Sequence, residues 1–351
     1  VPGNGDLARQ LGADQELNEQ NMGVSFLAQN SGKKSITLNL KTKEGKDIFK
    51  RMVRDADVVV ENFRPVVMDL LQVGYETLLK ENHSLVYCAI SGYGQDGPMR
   101  DLPAYDQIIQ GMSGVMSITG GEDSAPLRVG YPMADTIGGM TAAFAIASAL
   151  FNRKGNEGCF LDVSMLESVI STMGWVVSNY LIAGKSPQPM GNDNFTASPS
   201  GTFNTGDGLI NIAANKQEQF ESVCHVVGLQ ELIEDPRFIK RQDRLQYRQE
   251  LKEYLEAAMS SQSAEYWRDK FSEAGVTAGK VATIEQALAE DQITSRGMIG
   301  TFANVPGIER DISIARPGIK LNGNPLATTT PPPKLGEHTD ILLSEMGFSE
   351  M

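Results

Sequence analysis

A chain of 351 residues, 41% hydrophobic and 21% charged, has the make-up of a globular protein and exceeds what one hydrophobic core usually serves. Two domains, or one large elaborated one, are expected. A formal net charge of −13 excludes a phosphate-backbone footprint and any general attraction to nucleic acid or anionic lipid, so an anionic ligand has to be met by local cations. Cys88, Cys159 and Cys224 are odd in number and lack C-x-x-C spacing. They suggest neither a disulfide framework nor a metal site, and they fit a reducing, cytoplasmic setting. No apolar run reaches membrane-spanning length.

No signal peptide opens the chain and Val1 is not an initiator methionine, so the start reads as processed, engineered or incomplete. The first half alternates helical and strand patterns. Lys43 to Asp55 carries Ile48, Phe49, Met52 and Val53 on one helical face, and the short apolar run Asp57-Val58-Val59-Val60-Glu61 then reads as a strand. Helical Val66 to Asn82 follows, broken at Gly74, and leads to the strand Leu85 to Ile90. Met140 to Phe151 is hydrophobic nearly all round and reads as a buried helix; Cys159 to Val163 is another strand. Together these predict an open, largely parallel, Rossmann-like α/β sheet.

From Ala183 to Gly208 the composition turns to Gly, Pro, Asn, Ser and Thr, the mark of a linker or binding loop. Leu209 to Ala214 reads as a strand, and Gln217 to Val227, Arg241 to Met259 and Ala264 to Ala274 as amphipathic helices of a smaller α+β domain. Within it, Arg248, Glu250, Lys252 and Glu253 read as a solvated charged face. A proline-rich tail precedes a last helical pattern, Glu337 to Met346. The expected organisation is a large domain over residues 1–182, an active-site loop over 183–207, a small domain over 208–290 and a return segment over 291–351.

Asp135 stands just ahead of the apolar stretch. There, backbone N–H groups and the positive end of the helix dipole are expected to keep a carboxylate ionised at neutral pH, which suits a nucleophile. A helix N-cap is the other reading, and local sequence alone favours it. Gly92-Tyr93-Gly94-Gln95-Asp96-Gly97 spells G-x-G-x-x-G, but Pro98 and Pro103 fall where the phosphate-binding helix would run, so a dinucleotide site is not expected. His83, His225 and His338 have no metal-ligand spacing. Ser91 and Ser200 lack the nucleophile-elbow pattern.

Four segments in order resemble the family III CoA-transferases, of the formyl-CoA transferase and carnitine CoA-transferase type. They are Lys33-Lys34-Ser35-Ile36-Thr37-Leu38-Asn39-Leu40, Val60-Glu61-Asn62-Phe63-Arg64-Pro65, Pro103-Ala104-Tyr105-Asp106 and Tyr131-Pro132-Met133-Ala134-Asp135. The closing Leu335-Gly336-Glu337-His338-Thr339-Asp340 fits too, and the resemblance covers essentially the whole chain. It overrides the local preference for a cap and implies that Asp135 is the nucleophile. By the same resemblance Asn62 and Phe63 line the nucleotide pocket, Leu38 touches adenine, and Tyr105 lies beside the thioester. Lys33, Lys34 or Arg64 meet phosphate. Coenzyme A is then substrate, as its thioester, and no cofactor is permanently bound.

A carboxylate suits the chemistry, because its attack on a thioester gives a mixed anhydride and CoA thiolate, which returns to form an aspartyl-CoA thioester. Gly138 and Gly139, or the loop from Gly191 and Asn192 to Gly201, are candidate oxyanion donors, with turn duty the alternative for the glycines. Leu70 stands where the family commonly carries a phosphate-binding arginine, so weaker CoA affinity or a substitute contact from Arg64 is expected. Family members also begin with a strand and helix ahead of the segment matching Val1 to Asp6, which implies an N-terminally incomplete chain. An interlocked homodimer is implied as well. The general look is closest to enzymes using succinyl-CoA and dicarboxylates such as itaconate, mesaconate or glutarate. Two alternatives stand beside transfer. One is an α-methylacyl-CoA racemase, whose His-Asp pair is Tyr105-Asp106 here and lacks the histidine; the other is a non-catalytic CoA-binding module.

Overall fold

The computed structural model describes residues 3, 5–153, 155 and 157–348. Val1, Pro2 and Asn4, from the opening segment compared above, lie outside the described residues. The chain divides into two compact units, one of residues 1–56, 69–82 and 283–351 and the other of residues 57–68 and 83–282.

In the second unit, β1 (Val58–Glu61), β2 (Val86–Ser91) and β3 (Cys159–Ser164) form a parallel sheet in sequential order. Central β2 is buried at five of its six positions, and this is why it reads as a continuous apolar run rather than an alternation. Met133–Asn152, a helix of 20 residues, packs on β2, β3 and the helices Asp106–Met112 and Met165–Thr172. After β2 the glycine-rich segment turns instead of entering a helix. Gly94 has φ +96°, its N–H donates to Ser91 Oγ at 2.9 Å, and the Gln95 N–H donates to Asp162 Oδ2 at 2.9 Å.

Two expectations about the long helix need correcting. Of its residues only Met133, Ala134, Gly138 and Ala142 are buried, while Phe144 is 76% and Phe151 95% exposed in the single chain. An all-round apolar pattern states that every face avoids water without saying which neighbour covers it. The helix is also long and apolar enough, by length and composition, to cross a membrane. Thr136, Gly138, Gly139 and Thr141 interrupt the apolar run that a sequence count looks for.

Further along, β4 (Ser200–Asn204), β5 (Leu209–Ala213) and β6 (Thr277–Lys280) form an antiparallel sheet. Its core joins Phe203, Ile210 and Ile212 to Phe220, Val223, Leu251, Leu255 and Phe271 of the adjoining helices. Strand β4 shortens the expected linker, because pairing with β5 buries Phe203 in spite of the polar composition around it. The single helix expected from Arg241 to Met259 is two, Arg241–Gln246 and Arg248–Met259, parted at Tyr247. Burial pushes the Cys88 thiol up to about 11 and the Cys224 thiol to about 12, which makes both inert packing groups at neutral pH.

In the first unit Lys43–Arg54 and Tyr75–Glu81 are helices, with Gly74 at the second one's N-cap. The hairpin of β7 (Ile299–Val305) and β8 (Arg310–Ala315) was not anticipated.

Candidate active site

Asp135 lies within the first turn of the long helix rather than ahead of it. The N-cap is Pro132, which makes no side-chain cap hydrogen bond. A carboxylate nevertheless caps this helix, and it comes from elsewhere: the Ala134 N–H donates to Asp106 Oδ1 at 2.7 Å. Asp106 Oδ2 in turn accepts from Gln110 Nε2 at 2.7 Å. Gln110 is fully buried; its Nε2 also donates to the Tyr131 carbonyl at 3.3 Å, and its Oε1 accepts the Val129 N–H at 2.9 Å. Among the described residues, the Asp135 side chain has no hydrogen bond or ion pair.

Electrostatics here run opposite to the expectation from the helix dipole. Asp135 as a residue is exposed, yet desolvation of its carboxyl by the packing around the helix start raises its pKa, and the Asp106 charge raises it further. Two carboxylates thus meet at one helix start, one fully hydrogen-bonded and the other unengaged. Sequence reasoning missed Gln110 and weighed Asp106 only as half of a racemase pair, not as a cap for the helix that carries Asp135. The i, i+4 spacing of a carboxylate and an amide on the helix after Tyr105 is the signal that could have found them.

Among the oxyanion candidates, Gly138 and Gly139 lie in the second helical turn, where N–H groups are spent on intrahelical bonds. A Cβ on Gly138 would meet Met165 Cγ at 3.0 Å, so its glycine serves close helix packing. The Gly191 N–H donates to the Gly120 carbonyl at 2.7 Å. Neither Gly138, Gly139 nor Gly191 therefore offers a free donor, and Asn192 remains. Gly191 and Asn192 line a polar hollow with Gly120, Gly121 and Ser124.

Three arginines hold the loop that follows. Arg241 Nη2 donates to the Thr196 carbonyl at 2.6 Å, Arg244 Nε to the Ser198 carbonyl at 2.9 Å, and Arg248 Nη2 to the Asn194 carbonyl at 3.0 Å. This corrects the reading of Arg248 as solvated surface. Its neighbour Glu250 is engaged as well, paired with Arg237 at 2.6 Å. Phe195 of the same loop stacks on Trp175, with ring centroids 4.5 Å apart.

The residues matched to CoA binding fall in both units. In the first, Lys33 Nζ donates to the Gln29 carbonyl at 3.1 Å and to Asn30 Oδ1 at 3.0 Å, Lys34 is exposed and Leu38 is half-buried. Their segment is clipped to the closing motif: the Ser35 N–H donates to His338 Nδ1 at 3.2 Å, the Gly336 N–H to Ser35 Oγ at 3.0 Å, and the Thr37 N–H to Thr339 Oγ1 at 3.1 Å. That assigns His338 a structural task. In the second unit Asn62 Nδ2 donates to the Ile90 carbonyl at 2.8 Å, and Phe63, Arg64 and Tyr105 are exposed. No cluster of metal-ligating side chains occurs among the described residues.

Residues 1–339 match CoA-transferase family III. An acetyl-CoA:oxalate CoA-transferase of Acetobacter aceti is 38% identical over 93% of this chain and 79% of its own length. A succinyl-CoA:glutarate CoA-transferase of Mus musculus is 34% identical over 98% of this chain and 78% of its own. The crystal structure of a CAIB/BAIF family protein from Brucella suis superposes with a TM-score of 0.82 at 33% identity, covering 92% of this chain and 84% of that one. The chain belongs to CoA-transferase family III. It is accordingly an enzyme of the CoA-transferase type, acting on acyl-CoA.

Proposed function

We propose that the enzyme moves CoA from an acyl-CoA, with succinyl-CoA the leading donor, to a small carboxylic or dicarboxylic acid through covalent intermediates on Asp135. The observation that carries this reading is a carboxylate fixed in the first turn of a 20-residue helix yet engaged by no other group among the described residues. Ionised Asp135 attacks the thioester carbonyl; the C–S bond breaks, leaving a mixed anhydride and CoA thiolate. The thiolate attacks the aspartyl carbonyl and expels the donor acid as its carboxylate, forming aspartyl-CoA thioester. Attack by the acceptor carboxylate expels thiolate again and forms a second anhydride. The thiolate then takes the acceptor acyl group, and Asp135 is regenerated. Exposed Arg64 supplies a cation for CoA phosphate on an otherwise acidic protein.

Glutarate and oxalate head the candidate acceptors, because relatives carry those names, and the polar Asn192 hollow suits a small acid. A racemase would need a free acid–base pair, whereas Asp106 is committed to two hydrogen bonds. The three free thiols fit a cytoplasmic enzyme. The working form is a homodimer, supported by apolar side chains left open on the long helix and on Gly174–Ala183, where Ile182 is 86% exposed. Leu181→Glu combined with Phe144→Glu is expected to yield monomer by native mass spectrometry; an unchanged mass for the pair would remove this part of the proposal.

The test of the whole is a transfer assay with succinyl-CoA and a panel of short mono- and dicarboxylates, followed by mass spectrometry of the CoA esters. At least one acceptor is expected to become its CoA ester with stoichiometric release of succinate. Thioester hydrolysis alone, or proton exchange at the acyl α-carbon without transfer, would defeat the proposal.

A further inference from the structure

Two carboxylates meet at the start of the Met133–Asn152 helix, and the difference in their use invites an explanation. A carboxylate in a first helical turn ordinarily turns back to bond the free N–H groups there. Asp135 does not: the N-cap that a side chain at its position reaches back to is Pro132, which has no N–H, and the Ala134 N–H is already taken by Asp106. The segment leading into the helix is pinned as well, because buried Gln110 bonds the Val129 N–H, the Tyr131 carbonyl and Asp106 together.

We propose that Asp106 and Gln110 form a positioning clamp that caps the nucleophile helix from outside and so leaves the Asp135 carboxylate free for covalent chemistry. The clamp rests on the reading of Asp135 as nucleophile. Its logic is a division of labour between paired carboxylates whose surroundings differ. Asp106 gives both oxygens to hydrogen bonds and fixes the backbone; Asp135 keeps its lone pairs unspent, which favours attack on a carbonyl. Were Asp106 absent, the Ala134 N–H would lose its cap and the helix start that carries Asp135 would loosen. Titratable groups on the packed elements are Asp106, Glu167 on the Met165–Thr172 helix, Tyr87 and Cys88 on β2, and Cys159 and Asp162 on β3, with Arg128 and Tyr131 on the incoming segment. Of these, only Asp106 acts on the Asp135 carboxyl.

The experiment compares the whole chain with its Asp106→Asn and Gln110→Leu variants in two readouts: the single-turnover rate of thioester consumption against pH, and amide exchange across residues 129–136. Asp106→Asn is expected to lower the plateau rate roughly 10- to 100-fold through misplacement of the nucleophile, with KM for the acyl-CoA unchanged. It should also move the acid limb to lower pH, because a like charge has been removed from beside Asp135. A residue serving stability alone would not move that limb. Gln110→Leu should speed exchange at Ala134 and lower the plateau while leaving the acid limb in place. Wild-type plateau and limb in Asp106→Asn, or unchanged exchange in both variants, would overturn the clamp. Failure of the nucleophile reading is separately visible, as wild-type protein that turns over thioester but never carries label on Asp135; the exchange data still decide whether the clamp holds the helix.

Discussion

Asp135→Asn is expected to lower CoA transfer by roughly 10³-fold or more in kcat, as removal of a covalent nucleophile does elsewhere. The amide is close in shape and sits where nothing else bonds the side chain, so acyl-CoA binding should change little and the loss should appear in kcat. Steady-state kinetics with donor and acceptor varied in turn measure both parameters. Stability should respond in the opposite sense. Because folding raises the Asp135 pKa, its ionised form costs the native state stability; the cost is complete above the folded pKa, shrinks as pH falls through that value and is gone below the unfolded pKa. The variant should therefore be at least as stable as wild type at neutral pH, with the difference closing in acid. A less stable variant at neutral pH would show that Asp135 has a structural partner.

Arg244→Ala carries the second large effect, on stability. The side chain is 2% exposed, and its Nη1 donates to the Phe238 carbonyl at 2.7 Å, the Ile239 carbonyl at 3.2 Å and Gln217 Oε1 at 2.9 Å, while Nε holds the Ser198 carbonyl at 2.9 Å. Its guanidinium lies over the Phe220 ring, 4.3 Å from the centroid. Truncation leaves a cavity and several carbonyls unsatisfied, and a loss of about 3–5 kcal/mol is expected from urea unfolding. Lysine should not rescue it, since a single ammonium cannot reproduce the fork that meets these acceptors. Transfer should weaken too, because Ser198 belongs to the loop that follows Gly191 and Asn192. An Arg244→Ala protein as stable as wild type would mean that the loop and its helices are held by other contacts.

How much of this was legible in the sequence depends on the kind of interaction. Elements with strong periodicity were readable: Gln217–Val227 matched its expected bounds, and the β2 run announced a strand buried on both faces. Motif order across the chain gave the family. What stayed hidden involved partners distant in sequence. Asp106 caps a helix that begins 27 residues later, and no local pattern says which carboxylate will do so. Similarly, Arg241, Arg244 and Arg248 look like ordinary surface charges until the backbone carbonyls they hold are seen. Burial of the long helix failed for a related reason, since apolar composition registers a need for cover and not its source.

The central claim is a covalent intermediate on Asp135, and the measurement that meets it most directly is peptide mass spectrometry after mixing with succinyl-CoA in the presence of hydroxylamine or borohydride. The account predicts a hydroxamate or reduced product localised to Asp135 in wild type and absent from Asp135→Asn. Transfer that proceeds with no label on Asp135, or with label on another carboxylate, would contradict it.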